Sequence, residues 1–179
     1  MQSQQKIMIL FLLLAMKRDK EHANFQLYGN KGLNLYYNWL KKKTADNENY
    51  WFELLANMDE FSHYDILQIK HSAEDYTDTS TSFIEIKTRD VCLYRYEDCV
   101  VDSYKIFNLQ KLSALTNNKS YLVAIYTGDN KLAMWEIDPD TQYSTISKEV
   151  QWHTADLSGI KKMKEMVSLP ISEAKIYNL

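Results

Sequence analysis

Ser82-Phe83-Ile84-Glu85-Ile86-Lys87-Thr88-Arg89 is the stretch on which the fold turns. Side chains along a strand point alternately to opposite faces. The spacing therefore predicts a buried β-strand with Ile84 and Ile86 on one face and Glu85 and Lys87 on the other. Two charges in a β-branched, apolar run cost desolvation free energy, and function is one common reason to retain them. A metal-dependent phosphodiesterase site requires this combination: a carboxylate to hold the cation and a lysine beside the attacking water. The acid-x-Lys pattern recurs at Asp129-Asn130-Lys131 and Glu173-Ala174-Lys175. Asp129, however, belongs to a Gly-Asp-Asn turn signal, and Glu173 to a helix-like or irregular tail. Only Glu85-Ile86-Lys87 has a strand-like run with apolar neighbours on both sides.

Working outward, residues 64–69 predict a second strand, 71–82 a polar, exposed hairpin loop, and 91–96 a third strand. Residues 102–115 have helical spacing, with Tyr104, Phe107, Leu109, Leu112 and Leu115 as the apolar stripe and Asp102 or Ser103 as the cap. A strand at 121–126 is turned by Gly128-Asp129-Asn130 into another at 132–137. Upstream, residues 3–22 predict a nearly uniformly apolar helix. A second helix at 33–43 places Leu33, Tyr36, Tyr37 and Leu40 inward and ends in Lys41-Lys42-Lys43, which suits a helix C-terminus. Residues 50–58 fit helix or strand equally. Beyond Asp138 the pattern weakens: 157–166 suggests a short helix, and the tail from Pro170 carries no assignment. This order predicts a mixed α/β domain with a central sheet flanked by helices.

At 179 residues the chain fits one domain able to bury a core. We divide it into an N-terminal helical part (1–49), a central core (50–138) and a C-terminal extension (139–179). The net charge of −3 argues against a strongly basic nucleic-acid binder. It leaves a nuclease open, because bound cations offset a carboxylate-rich site. Cys92 and Cys99 form neither a CxxC pair nor a zinc framework, and two reduced thiols suit a cytoplasmic protein. The apolar run at 7–16 is about half the roughly 20 residues needed to span a bilayer. It is expected to be a core helix or, second, a dimer contact, with a signal peptide third, and no membrane partner. There is no P-loop, GxGxxG or GxSxG.

The order of a strand bearing Asp65, a hairpin, a strand bearing Glu85-Ile86-Lys87, the 102–115 helix and the 121–126 strand resembles the PD-(D/E)XK nuclease superfamily, the restriction-endonuclease-like fold. The resemblance spans residues 50–138. It implies a Mg²⁺-dependent endodeoxyribonuclease, with Mn²⁺ able to substitute, that hydrolyses DNA phosphodiester bonds. Asp65 matches the first acid, Glu85 the second and Lys87 the lysine; Tyr64 stands where the fullest pattern has proline. Asp65, Glu85 and the backbone carbonyl of Ile86 would then bind the metal, with Glu53 or Glu48 as a supporting glutamate. Lys87 would orient or deprotonate the water, a role open to lysine because its pKa shifts readily. Asp75 and Asp78 are rival acids in the predicted loop.

The resemblance also makes Lys105, Arg89 and Arg95 the candidates for phosphate contact, and Tyr94, Tyr96 and Tyr104 for stacking on bases. His63 shares a predicted strand face with Asp65. Cutting both strands of DNA needs two sites, so a homodimer is expected. The alternative is a catalytically inactive protein of the same fold, acting as a nucleic-acid-binding or protein-assembly module. A further alternative is an unrelated interaction protein whose Glu85–Lys87 pair is a surface ion pair. In that case Asp65 and Glu85 would not be neighbours.

Overall fold

The computed structural model describes residues 31–45, 49–56, 63–74, 78–151 and 161–179. The expected helix at 3–22, the apolar run at 7–16, Glu48 and Asp75 lie outside them. The elements follow in order: α1 (Lys31–Thr44), β1 (Tyr50–Ala56), β2 (Ile66–Ser72), β3 (Thr79–Arg89), a 3-10 turn (Leu93–Arg95), β4 (Asp98–Asp102) and α2 (Ser103–Thr116). After these come β5 (Lys119–Tyr126), β6 (Lys131–Glu136), β7 (Thr145–Gln151), β8 (Lys161–Pro170), a second 3-10 turn (Ile171–Glu173) and β9 (Lys175–Asn178).

One six-stranded sheet has the order β1-β2-β3-β5-β6-β9, and a three-stranded sheet the order β4-β8-β7. The main sheet is mixed: β3 runs parallel to β5, with Glu85 opposite Leu122 and Lys87 opposite Ala124, and the other neighbours are antiparallel. A parallel pair needs a crossover, here built from the first 3-10 turn, β4 and α2. The expected mixed central sheet flanked by helices is thus what forms.

Strand alternation divides the core in two. Ile84 and Ile86 face α1, where they pack with Tyr36, Trp39, Leu40, Val123 and Ile125. Phe83, on the other face, joins Ile106 and Leu109 of α2, together with Leu122, Val101 and Val167. Each fully buried aliphatic side chain contributes about 1.5–3 kcal/mol. α2 starts where expected, with the Asp102 carboxylate accepting the Tyr104 N–H at 3.1 Å, and Asn117 closes it at φ 55°.

Several expectations are corrected. The inward face of α2 is Ile106, Leu109 and Ser113, whereas Tyr104, Phe107 and Leu115 are exposed. Apolar residues ring this helix, and packing against β5 and β8 selects the face that local spacing leaves open. Residues 91–96 turn rather than extend, because the Asp129 carboxylate holds the Leu93 N–H at 3.2 Å; the strand begins at Asp98. The 71–82 loop shrinks, since Lys70 pairs with Ser80 and His71 with Thr79. Most of 157–166 lies in β8 and not in a helix, with Val167 and Leu169 beside Val101 and Cys99. The alternation that marks β8 sits at its C-terminal end, after a run of charges. The tail supplies β9, an edge of the main sheet.

Gly128 donates its N–H to Val91 O at 3.2 Å. A Cβ there would stand 2.7 Å from Cys92 N and Val91 C, both backbone atoms. Gly128→Ala is expected to destabilise the fold by about 1–3 kcal/mol, read from the urea midpoint. An unchanged midpoint would show that the turn after β3 yields freely.

Candidate active site

Asp65 immediately precedes β2, and its N–H donates to Ile84 O at 2.8 Å. That bond sets Asp65 beside the centre of β3, where its Oδ2 accepts the Ile86 N–H at 2.6 Å. Glu85, between Ile84 and Ile86, has no exposed surface. Lys87 Nζ lies 2.5 Å from Glu85 Oε1. Lys105 Nζ, from the first turn of α2, lies 3.1 Å from Glu85 Oε2. Two carboxylates and two ammoniums therefore meet at one point, and both lysine side chains keep about a quarter of their surface exposed.

Burial raises the Asp65 pKa above its ordinary value, and the Glu85 carboxylate raises it further. The Ile86 N–H, Lys87 and Lys105 pull it back without reversing it. Like charges held together in low dielectric invite a proton or a cation. The donors fit a hard divalent cation on chemical grounds: all are oxygens, the two carboxylates are adjacent, and burial with the neighbouring Glu85 charge holds Asp65 above its ordinary value. Among the described residues no cluster of three or more His, Cys, Asp or Glu is placed to hold a metal.

The structure thus brings Asp65, Glu85 and Lys87 together and adds Lys105. The sequence offered Lys105 as a phosphate contact; its ammonium instead caps the second Glu85 oxygen. Its signal was its place just after the capping Asp102, next to a strand bearing an acid. Glu53 is not brought in. It pairs with His71 at 3.6 Å and lies opposite Ile69, which faces Thr81, some 13 Å along β3 from Glu85 at about 3.3 Å per residue. Asp78 is exposed in the hairpin.

Arg89 donates to Val100 O at 2.9 Å, so it ties β3 to β4. Arg95 is exposed on the 3-10 turn, beside exposed Tyr94 and Tyr96. Tyr104 meets His63 edge to face, with its hydroxyl 3.4 Å from Nδ1. That contact joins the segment entering β2 to the start of α2, and nothing in the sequence announced it.

No protein-family model matches the chain, and no curated protein is similar to it. Among solved structures it is similar to Hjc of Archaeoglobus fulgidus, a Holliday junction resolvase from an archaeal hyperthermophile. The two share 10% sequence identity over 80% of this chain and 86% of that chain, with a TM-score of 0.43.

Two measurements probe this cluster. Because the Asp65 pKa is raised, the native state holds that proton more tightly than the unfolded chain. The stability it contributes is greatest below the ordinary carboxylate value and is lost as pH rises through the native value. In metal-free buffer, wild type is expected to lose stability relative to Asp65→Asn as pH rises through that window. Parallel pH profiles would show that Asp65 carries no such linkage. Separately, Lys87→Met with Lys105→Met strands the buried Glu85 carboxylate. A loss of about 3–5 kcal/mol in urea unfolding is expected, more than either single change produces.

Proposed function

We propose that this chain is a divalent-metal-dependent nuclease that hydrolyses DNA phosphodiester bonds through Asp65, Glu85 and Lys87. The observation that carries this reading is the meeting of these three side chains at one point, with Asp65 and Glu85 adjacent across the β2–β3 pair. That adjacency is what the surface-ion-pair alternative forbids.

Asp65 and Glu85, with the Ile86 carbonyl, would hold Mg²⁺ or Mn²⁺. When bound, the cation polarises the phosphate and lowers the pKa of its water. Lys87 starts from an ion pair with Glu85. Beside a bound cation the Lys87 ammonium would orient the attacking water through its N–H donors, and only its neutral amine form could take the water's proton. Lys105 neutralises the other Glu85 oxygen, and its ammonium would be available to a substrate phosphate if a cation took up the Glu85 charge. Arg95, exposed on the turn before β4, contacts the backbone as a sequence-independent anchor. Cleavage of both strands is assigned to a homodimer, which sedimentation velocity tests; a monomer at working concentration would remove it.

The contact of Lys105 with Glu85 favours a second reading, in which the ammonium takes the metal's place permanently and the fold serves only to bind. Cleavage of supercoiled plasmid in Mg²⁺ or Mn²⁺ separates the two. Wild type is expected to nick the plasmid, with a loss of about 10²- to 10⁴-fold for Lys87→Ala. Failure of wild type on plasmid, branched and single-stranded DNA alike would sink the nuclease and leave the binding module.

A further inference from the structure

Among the described residues, the face of the main sheet opposite Glu85 is only partly covered. α1 lies over Ile84, Ile86, Val123, Ile125 and Leu132. Beside it a cavity of about 700 Å³ opens over β1, β2, β3 and β5 and extends to β6 and β9. That volume lies within the roughly 300–1,000 Å³ of ordinary ligand sites. Strand alternation puts Phe52, Gln68, Ser82 and Tyr121 on this face, and with them Lys70 and Lys119.

The chemistry of the walls is specific. Aromatic rings come from Trp39, Tyr50, Phe52, Tyr121 and Tyr177. Four lysines stand against two glutamates: Lys43, Lys70, Lys119 and Lys175 against Glu136 and Glu173. Lys119 pairs with Glu136 at 2.7 Å. Lys43, Lys70 and Lys175 pair with no carboxylate among the described residues. The Lys43 ammonium sits 4.2 Å from the Tyr177 ring centroid and 5.0 Å from that of Trp39, and Lys70 sits 4.3 Å from Tyr50. Positive charge is thus set directly beside flat apolar surface.

We propose that this groove binds single-stranded nucleic acid, with bases stacked on Tyr50 and Tyr177 and phosphates held by Lys43, Lys70 and Lys175. Rings for stacking within a cationic channel are how proteins hold single strands without reading sequence. An apolar segment is a poor occupant, because the Ser80 and Ser82 hydroxyls lie on this face beside Gln68 and burying polar groups unpaired is costly. The span argues against a free mononucleotide. Lys70 is on β2 and Lys175 on β9, four strand positions apart, about 19 Å across the sheet at roughly 4.8 Å per strand, and the register sets them further apart along the strands. The phosphates of one nucleotide do not bridge that distance; a strand several nucleotides long does. The inference stands apart from the nuclease reading, since it uses the other face of the sheet and needs no metal.

The test is fluorescence anisotropy of the full chain with a fluorescein-labelled oligothymidylate in EDTA, across a salt series. Wild type is expected to bind with a log–log salt slope of about −2, the value for three lysine–phosphate contacts on a single strand. Lys70→Gln with Lys175→Gln should weaken binding about tenfold or more and bring the slope to about −0.7. Tyr50→Ala should weaken it about five- to a hundredfold with the slope unchanged. Lys111→Gln, the same substitution at one exposed position of α2, should leave both as in wild type. Thermal melting of each variant separates lost binding from lost folding. No binding by wild type, an unaltered slope in the double variant, or displacement of the strand by adenosine monophosphate at equal concentration would each overturn the proposal.

Discussion

A carboxylate with no exposed surface in the middle of a sheet is the constraint around which this molecule is arranged. Glu85 sits on β3, paired on both sides, beneath the start of α2. An isolated charge there would be prohibitively costly to bury. Lys87 supplies one counter-charge from the same strand face, and Lys105 the second from α2. The position of α2 therefore answers an electrostatic demand as well as an apolar one. Its start is pinned by Asp102, which caps the helix through Oδ1 and holds Lys164 of β8 through Oδ2 at 3.2 Å. The small sheet, the helix and the buried carboxylate are one connected set.

That connection anchors the candidate site to packed elements. Asp65 is bonded to β3 twice, through its N–H to Ile84 and its carboxylate to Ile86. Catalytic groups supported by packed elements hold their geometry better than groups on loops. Tyr94, Tyr96 and Tyr104 are exposed, the last of them next to Lys105 at the start of α2. The same alternation that turns Glu85 and Lys87 to α2 turns Ile84 and Ile86 to α1. The two faces of one strand thus support two different surfaces, an acid–lysine cluster and an aromatic–lysine groove.

The legible parts of the fold were those with a local signature. The period of two along 82–89, the Asp102 cap and the Gly128-Asp129-Asn130 turn each act within a few residues, and each stands where expected. The illegible parts were settled by distant partners. Leu93 turns because a carboxylate thirty-six positions away binds its N–H. The C-terminal half of β8 is a strand because β4 lies beside it, though its charged start resembles an exposed helix. On α2, three residues that spacing placed inward are exposed, because several faces of that helix carry apolar side chains.

The sequence by itself determined the strand character of β3, the two charges on its one face, the cap of α2 and the mixed α/β class, since alternation and capping are properties of neighbouring residues. Only the tertiary structure decided that Asp65 joins Glu85, that Lys105 completes the ion cluster, that Glu53 turns to His71, and that the C-terminal strand closes the main sheet. The reason is physical. Desolvation and charge pairing depend on distances between residues far apart in the chain, and those distances exist only once β3 and β5 lie parallel and α2 crosses between them.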